Sequence, residues 1–369
     1  MTIRIVLADD SALVRQILKD ILQGEEDIQL AGEACDGKEA CELTFRLKPD
    51  LVLMDIRMPV MDGLEAIEEI MAQAPTPVLV LSGAVEASEV DRAFTAIKRG
   101  ALDVMEKPEL GSAEALEEFS CHLLQKVRLL ARIRVIRHPR RKLRLPVSLE
   151  VPSLGPGHDI LAIGASTGGP KAVMTLLKSL PAGFPATVFV VQHIAAGFAP
   201  GFASWLNREC ALPVKIAVDG GRYLPGEAVI APDGRHMTLC DGKIRLDSDP
   251  AVNCCRPSID VFFNSLARAR CDRVVSILLT GMGRDGALGM LRIKEAGGTT
   301  IVQDEPSCAV FGMPKAAISL HAVDQVLPLD LMPGAIAKLF GVAAGNEAPR
   351  PTTSVQIKEA TCGKNDTDH

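Results

Sequence analysis

Apolar runs of strand length alternate along this chain with stretches whose apolar positions recur at helical spacing. In the first third the strand-like runs are Ile3 to Ala8, Leu51 to Met54, Val78 to Leu81 and Leu102 to Met105. Between them Ala12-Leu13, Ile17-Leu18 and Ile21-Leu22 repeat with the helical period, as do Leu64, Ile67 and Met71. Strands and helices in this alternation predict a parallel sheet covered on both faces, so residues 1–130 read as one doubly wound domain. A second α/β series begins with Ile160 to Ile163, Thr187 to Val191 and Val274 to Leu279, with shorter strand-like pieces at Val214 to Val218, Ala228 to Ala231 and Lys243 to Leu246. It predicts a second doubly wound, mostly parallel domain over residues 158–343. Between the two, residues 131–157 carry seven Lys and Arg from Arg132 to Arg144 with no acidic residue, then a Pro- and Gly-bearing stretch, and read as a solvated linker. Residues 344–369 are polar and predict a disordered tail.

The 369 residues are long enough for two domains, and 47% hydrophobic against 23% charged residues fits core-forming domains. A formal charge of -6 gives no overall pull toward nucleic acid or an anionic membrane. Aromatics are 4%, with Trp205 and Tyr223 each alone of their kind, which leaves no stacking platform for bases. The expectation is no nucleic-acid partner and no membrane insertion, since no apolar run approaches the ~18 residues of a span and the N-terminus turns acidic too soon for a signal peptide. Ten cysteines form no CxxC pair, so they are expected to be reduced, mostly buried thiols of a cytoplasmic protein. Cys254, Cys255 and His236 receive no role beyond ordinary packing or exposure.

In an open parallel sheet, ligands gather at the carboxyl ends of strands. Asp9 and Asp10 follow the first strand-like run and Asp55 follows Leu51 to Met54. Three converging carboxylates call for a hard cation, and Mg²⁺ suits oxygen ligands with positions left for phosphate oxygens. Ser82 and Lys107 end the next two strands, a hydroxyl and a point charge for a new phosphoryl oxygen, with Pro108 favouring a tight turn that a cis bond would sharpen. These residues, with Met58-Pro59 and Asp62-Gly63, resemble a two-component receiver domain over about the first 125 residues. The resemblance implies a flavodoxin-like five-stranded sheet. It also implies phosphorylation of Asp55 by a histidine kinase of the CheA type, with Mg²⁺ held by Asp10, Asp55 and the Arg57 carbonyl and with Asp9 in its outer shell. Val104 stands where many receivers carry a switching aromatic, so an aromatic-rotation account of signalling does not transfer.

In the second domain the strand from Ile160 leads into Gly164-Ala165-Ser166-Thr167-Gly168-Gly169-Pro170 and a helical pattern of Val173, Leu176, Leu177 and Leu180. The N–H groups and dipole of that helix start suit an oxyanion forming beside Ser166. His193 directly follows Thr187 to Val191 and Gln192, and Asp285 lies just past Val274 to Leu279. A serine nucleophile needs a base, and an imidazole base needs a carboxylate to orient it, so convergence of the three at one sheet edge would make a triad. On these residues alone the triad stands level with Ser166 or Thr167 as a helix N-cap; a nucleotide loop is weaker, because neither GxGxxG nor GxxxxGK[ST] is complete.

Gly164 to Pro170, Gln192-His193, Arg256-Pro257-Ser258 to Val261 and Gly281 to Gly286, in the order receiver, linker, catalytic domain, resemble the CheB family of chemotaxis receptor methylesterases. That resemblance implies Ser166 as nucleophile, His193 as base then acid, Asp285 as the orienting carboxylate, and Thr167 and Met282 flanking the site with the Met282 N–H as oxyanion donor. It implies hydrolysis of glutamate methyl esters on methyl-accepting chemosensory receptors, deamidation of glutamines as a related activity, and no cofactor for the ester chemistry. The segment Ile194 to Phe198 and Arg284 resemble the branch serving alternative pathways such as the surface-sensing Wsp type. The competing readings are a response regulator with a binding output, to DNA or as a silent scaffold, and an esterase of small molecules.

Overall fold

The computed structural model describes residues 2–83, 87–108, 112–133, 159–269 and 273–342. The expected linker over 131–157, apart from its first three residues, and the expected tail over 344–369 lie outside them.

Five strands and five helices alternate strictly in the first domain: β1 (Ile3–Ala8), α1 (Ala12–Gln23), β2 (Ile28–Ala34), α2 (Gly37–Leu47), β3 (Leu51–Asp55), α3 (Gly63–Gln73), β4 (Val78–Ser82), α4 (Ala87–Arg99), β5 (Asp103–Glu106) and α5 (Ala113–Leu130). The sheet is parallel in the order β2-β1-β3-β4-β5, the flavodoxin-like arrangement. Every residue of β3 and β4 is buried because helices cover both faces, which is why these strands read as unbroken apolar runs. The β2 strand has no such run. It lies at the sheet edge, carries Gly32 and Glu33, and is only partly buried.

The second domain is built on β6 (Ile160–Ala165), α6 (Gly169–Lys178), β7 (Thr187–Gln192), α7 (Ala199–Glu209), β8 (Val214–Ile216), β9 (Ala228–Ile230), β10 (His236–Cys240), β11 (Lys243–Asp247), α8 (Ile259–Ala269), β12 (Val274–Leu278), α9 (Ala287–Glu295), β13 (Thr299–Gln303), α10 (Met313–Ser319), β14 (Gln325–Leu327) and α11 (Met332–Leu339). Seven strands form a wholly parallel sheet, β14-β13-β12-β6-β7-β9-β8, and β10 with β11 forms a separate antiparallel hairpin. The chain runs from β6 outward through β7 on one side and returns to β12 on the other. The carboxyl edge of β6, flanked by β7 and β12, is therefore the topological switch point at which such sheets bind ligands.

The two domains share a core. On α4, the Phe94 ring lies 5.4 Å from both Phe202 and Trp205 of α7, stacked on the indole at 17°. Phe198 closes the cluster at 6.4 Å. Asp91 pairs with Arg208 at 3.0 Å and Lys98 with Glu209 at 2.5 Å around this aromatic centre. The thiols depart from expectation: of the eight described cysteines, four are exposed and one, Cys41, is buried. All eight are free thiols.

Candidate functional site

Ser166, His193 and Asp285 stand just past the ends of β6, β7 and β12, three neighbouring strands. Ala165 is in register with Gln192, and the His193 N–H donates to the Ala165 carbonyl at 2.9 Å, so the serine and histidine loops start side by side. Gln192 ties them further, its side-chain amide donating to the carbonyls of Ser166 and His193, each at 2.9 Å. Neither Ser166 nor Thr167 caps α6. The N-cap is Gly168 in a left-handed conformation with no side-chain bond, and Pro170 occupies the first turn.

His193 Nε2 lies 2.9 Å from Asp285 Oδ2. Asp285 is itself fixed at the start of α8, where it accepts from the N–H groups of Ile259 (2.6 Å) and Asp260 (3.3 Å), the Ser258 hydroxyl (2.7 Å) and the Asn253 amide (2.9 Å). A carboxylate at a helix N-terminus is stabilised by the free N–H donors and the dipole. Burial alone would raise Asp285, but the bonds from His193, Asn253 and Ser258 hold its carboxyl below the usual range. For His193, burial pushes the imidazole down, while Asp285 and Cys255 outweigh that and raise it to about 9.

Ser166 begins its loop beside that of His193 but makes no hydrogen bond to His193 or Asp285. Its N–H donates to the Thr280 carbonyl, and among the described residues its hydroxyl has no partner. The other ring nitrogen, His193 Nδ1, has Cys255 Sγ 3.6 Å away. Gly281 brings the loop after β12 against the serine: a Cβ at that position would lie 2.6 Å from the Ser166 Cβ, so only glycine lets the strand end pass. Beyond it, the Met282 side chain is exposed, while Thr167 is buried. The backbone N–H groups of Thr167 and Met282 make no hydrogen bond among the described residues, leaving two donors beside Ser166.

Around this site the structure adds residues that the sequence reading passed over. Asn253 bridges Asp260 (2.8 Å) and Asp285 (2.9 Å) with one amide nitrogen. Nothing in the sequence marked it; Ser258 and Asp260 lie in a segment that did stand out. His236, left unassigned, is a buried structural histidine whose Nδ1 accepts the Ser258 N–H at 3.1 Å.

In the first domain, Asp9, Asp10 and Asp55 present ligand atoms within 4.8 Å of one another. Lys107 reaches in from beyond β5, its Nζ 2.8 Å from Asp9 and 3.0 Å from Asp55. One ammonium faces three carboxylates. Burial raises Asp55 to about 6, with Lys107 opposing the shift and Asp9 adding to it. Asp9 is buried in its ion pair whereas Asp10 is exposed, which fits an outer and an inner ligand of a hard cation. Ser82, the last residue of β4, is buried and donates weakly to Gly83 O (3.4 Å) and Glu89 Oε2 (3.5 Å). Glu89 also pairs with Arg57. The cis peptide bond among the described residues precedes Pro257 and not Pro108, so the Lys107 side chain is aimed by an ordinary trans turn.

Among the described residues no helix is long and apolar enough to cross a membrane. Residues 161–336 match the family described as CheB methylesterase, and residues 5–118 match the response regulator receiver domain. The protein-glutamate methylesterase/protein-glutamine glutaminase 2 of Anaeromyxobacter dehalogenans is 45% identical over 341 residues, covering 91% of this chain and 97% of its own length. A protein-glutamate methylesterase/protein-glutamine glutaminase of Salmonella typhimurium is 41% identical over 332 residues, 89% of this chain and 94% of its own. The crystal structure of the Thermotoga maritima CheB methylesterase catalytic domain aligns at 37% identity with a TM-score of 0.47, covering 48% of this chain and 97% of that one. With similarity running through both domains, the chain belongs to the CheB methylesterase family and carries a response regulator receiver domain ahead of its catalytic domain.

Proposed function

We propose that this protein is a serine hydrolase that removes methyl groups from glutamate methyl esters on chemosensory receptors in the cytoplasm and deamidates receptor glutamines, under control of its receiver. The observation that carries this reading is the 2.9 Å bond between His193 and a fully hydrogen-bonded Asp285, at the sheet edge where Ser166 begins its loop. Because Asp285 holds Nε2, the basic atom is Nδ1. The Ser166 hydroxyl gives its proton to Nδ1 as its oxygen attacks the ester carbonyl, and the Thr167 and Met282 N–H groups receive the oxyanion. Collapse of the tetrahedral adduct breaks the carbonyl–methoxy bond, and the imidazolium returns the proton to the departing methanol. Water, deprotonated by the same nitrogen, then frees Ser166 and leaves a glutamate carboxylate; with glutamine, ammonia leaves in place of methanol. Each turnover by ester hydrolysis adds one negative charge to a receptor helix, which shifts the repulsion between packed helices. The segment 194–198 and Arg284 favour receptors of an alternative array such as the Wsp type.

The receiver supplies the control. Asp10, Asp55 and the Arg57 carbonyl would hold Mg²⁺, with Asp9 outside them, and the bound ion neutralises the carboxylates and the incoming phosphoryl oxygens. Asp55 accepts the phosphoryl group from a histidine kinase of the CheA type, and Ser82 and Lys107 bind its oxygens. Drawing the Ser82 hydroxyl toward that group takes it from Glu89, on the helix that rests against α7. Through Phe94 and its neighbours that helix bears on the element following the His193 loop, so the unphosphorylated receiver restrains the site and phosphorylation releases it. Methanol release from methylated receptor membranes tests the reading: it should fall by about 10⁴ or more in Ser166→Ala. Undiminished release in that variant would overturn the assignment.

A further inference from the structure

Cys255 is a side chain at the site for which ester hydrolysis has no use. Its Sγ faces His193 Nδ1 at 3.6 Å, on the side of the ring opposite Asp285. The sulfur is held there by a tight turn: Val252 and Cys255 exchange backbone hydrogen bonds of 3.1 and 2.9 Å, and Asn253 and Cys254 between them adopt left-handed φ values of 52° and 60°. Zn²⁺ binds thiolate at ~2.3 Å and imidazole at ~2.0 Å, so two such ligands at a tetrahedral angle stand roughly 3.5 Å apart. The observed spacing matches. A zinc-bound histidine also donates its other ring N–H to a carboxylate, which fixes the ring and raises its basicity. Asp285 occupies that place at 2.9 Å, and with four further donors on its oxygens it remains an outer partner of the ring. Ligand atoms of His193, Cys255 and Asp285 all lie within 4.8 Å of one another. Sulfur and imidazole together select a thiophilic divalent ion over Mg²⁺ or Ca²⁺.

We infer that Cys255 and His193 form an inhibitory site for a thiophilic divalent metal ion, Zn²⁺ above all, which occupies the Nδ1 lone pair and so removes the base that Ser166 requires. On binding, the Cys255 thiol loses its proton to solvent, the sulfur and Nδ1 each donate a pair to the metal, and water completes the coordination. The metal site stands on its own geometry; its inhibitory consequence rests on the proposed hydrolase reading.

Co²⁺ added to the full-length protein is the probe, because a thiolate–Co²⁺ bond gives a charge-transfer absorption in the near ultraviolet. The band is expected in the unaltered protein and should fall by more than half in Cys255→Ser and in Cys255→Ala, with circular dichroism confirming that both fold. No band, or one carried undiminished in both variants by the group of exposed Cys35 and half-buried Asp36 and Glu39, overturns the site. In parallel, the ratio of methanol release with and without micromolar free Zn²⁺ is taken within each protein. It should drop at least tenfold in the unaltered chain, recover with a zinc-selective chelator, and stay within twofold of unity in the variants. A Co²⁺ band without Zn²⁺ inhibition overturns the inhibitory role. A chain that releases no methanol in any condition counts against the hydrolase reading, while the cobalt spectrum still decides the metal site.

Discussion

In the proposed mechanism His193 has to be neutral to act, yet it is held in a place that favours its charge. Burial lowers its affinity for a proton, but Asp285 and Cys255 more than restore it and push the imidazole up to about 9. A base works only in its deprotonated form, so the rate of ester hydrolysis should climb with pH across the neutral range and level off above the raised value. Asp285→Asn removes the strongest influence holding the proton on. The acid limb of kcat/KM against pH should then move toward the ordinary histidine value, while the maximal rate drops by about 10²–10⁴ as the ring loses its orientation. A profile that keeps its position in the variant would contradict the pairing. Asn253 is a second residue whose part is electrostatic. It stands between Asp260, raised by burial and by the nearby Asp285 charge, and Asp285 itself. Asn253→Ala leaves two buried carboxylates without their common donor and should cost about 1–3 kcal/mol in urea unfolding. At this scale the sequence named Ser166 and His193 because each closely follows an apolar run, and Asp285 because it stands in the glycine-bearing loop beyond Leu279. It was silent on Asn253 and gave Cys255 no role beyond ordinary packing or exposure, because the place of both depends on how a turn through left-handed Asn253 and Cys254 comes to rest against His193 and Asp285.

The helices α4 and α7 meet where neither sequence segment reads as an interface. Phe94 is buried among Phe198, Phe202 and Trp205, and each of these aromatics sits at ordinary helical spacing within its own domain. The approach is close enough that a Cβ on Gly201 would collide with Val90 of α4. Overpacking of this kind costs about 1–3 kcal/mol, and 1.4 kcal/mol is about tenfold in an equilibrium. Gly201→Ala should therefore loosen docking and raise methanol release by the unphosphorylated protein several-fold to about tenfold, with a matching loss in the stimulation a phosphodonor gives. Unchanged basal activity would show that this contact does not restrain the site. The flanking pairs Asp91–Arg208 and Lys98–Glu209 are partly exposed and contribute about 0–1 kcal/mol each, so raised salt should mimic the variant only weakly. The sequence located the largely buried central strands β1, β3, β4, β6, β7 and β12 and also the shorter β5, β8, β9 and β11, whereas it passed over the edge strands β2 and β14, the hairpin strand β10 and the central β13, whose run opens on two threonines and is not continuously apolar.

For the molecule as a whole, the receiver cluster and the hydrolase site are joined through one helix. Ser82 and Arg57 both engage Glu89 on α4, and α4 bears on α7. Asp55→Asn should abolish the response of methanol release to a small phosphodonor, and chelation of Mg²⁺ should do the same to the unaltered protein, both leaving the basal rate in place. A phosphodonor response that survives Asp55→Asn would place the acceptor elsewhere.

The amino-acid sequence by itself determined that there are two parallel α/β units, where their central strands lie, and which carboxylates, serine, histidine and lysine stand at the strand ends. Those are local properties: burial on both faces writes itself into the chain as apolar runs, and the residue after a run lands at the sheet edge whatever else the fold does. The tertiary structure alone decided that Asp285 holds Nε2, that Cys255 lies against Nδ1, and that Phe94 is buried against the other domain. Each of these depends on where segments distant in sequence come to rest. A hydrogen bond or a ring contact has a direction that residue type and spacing do not encode.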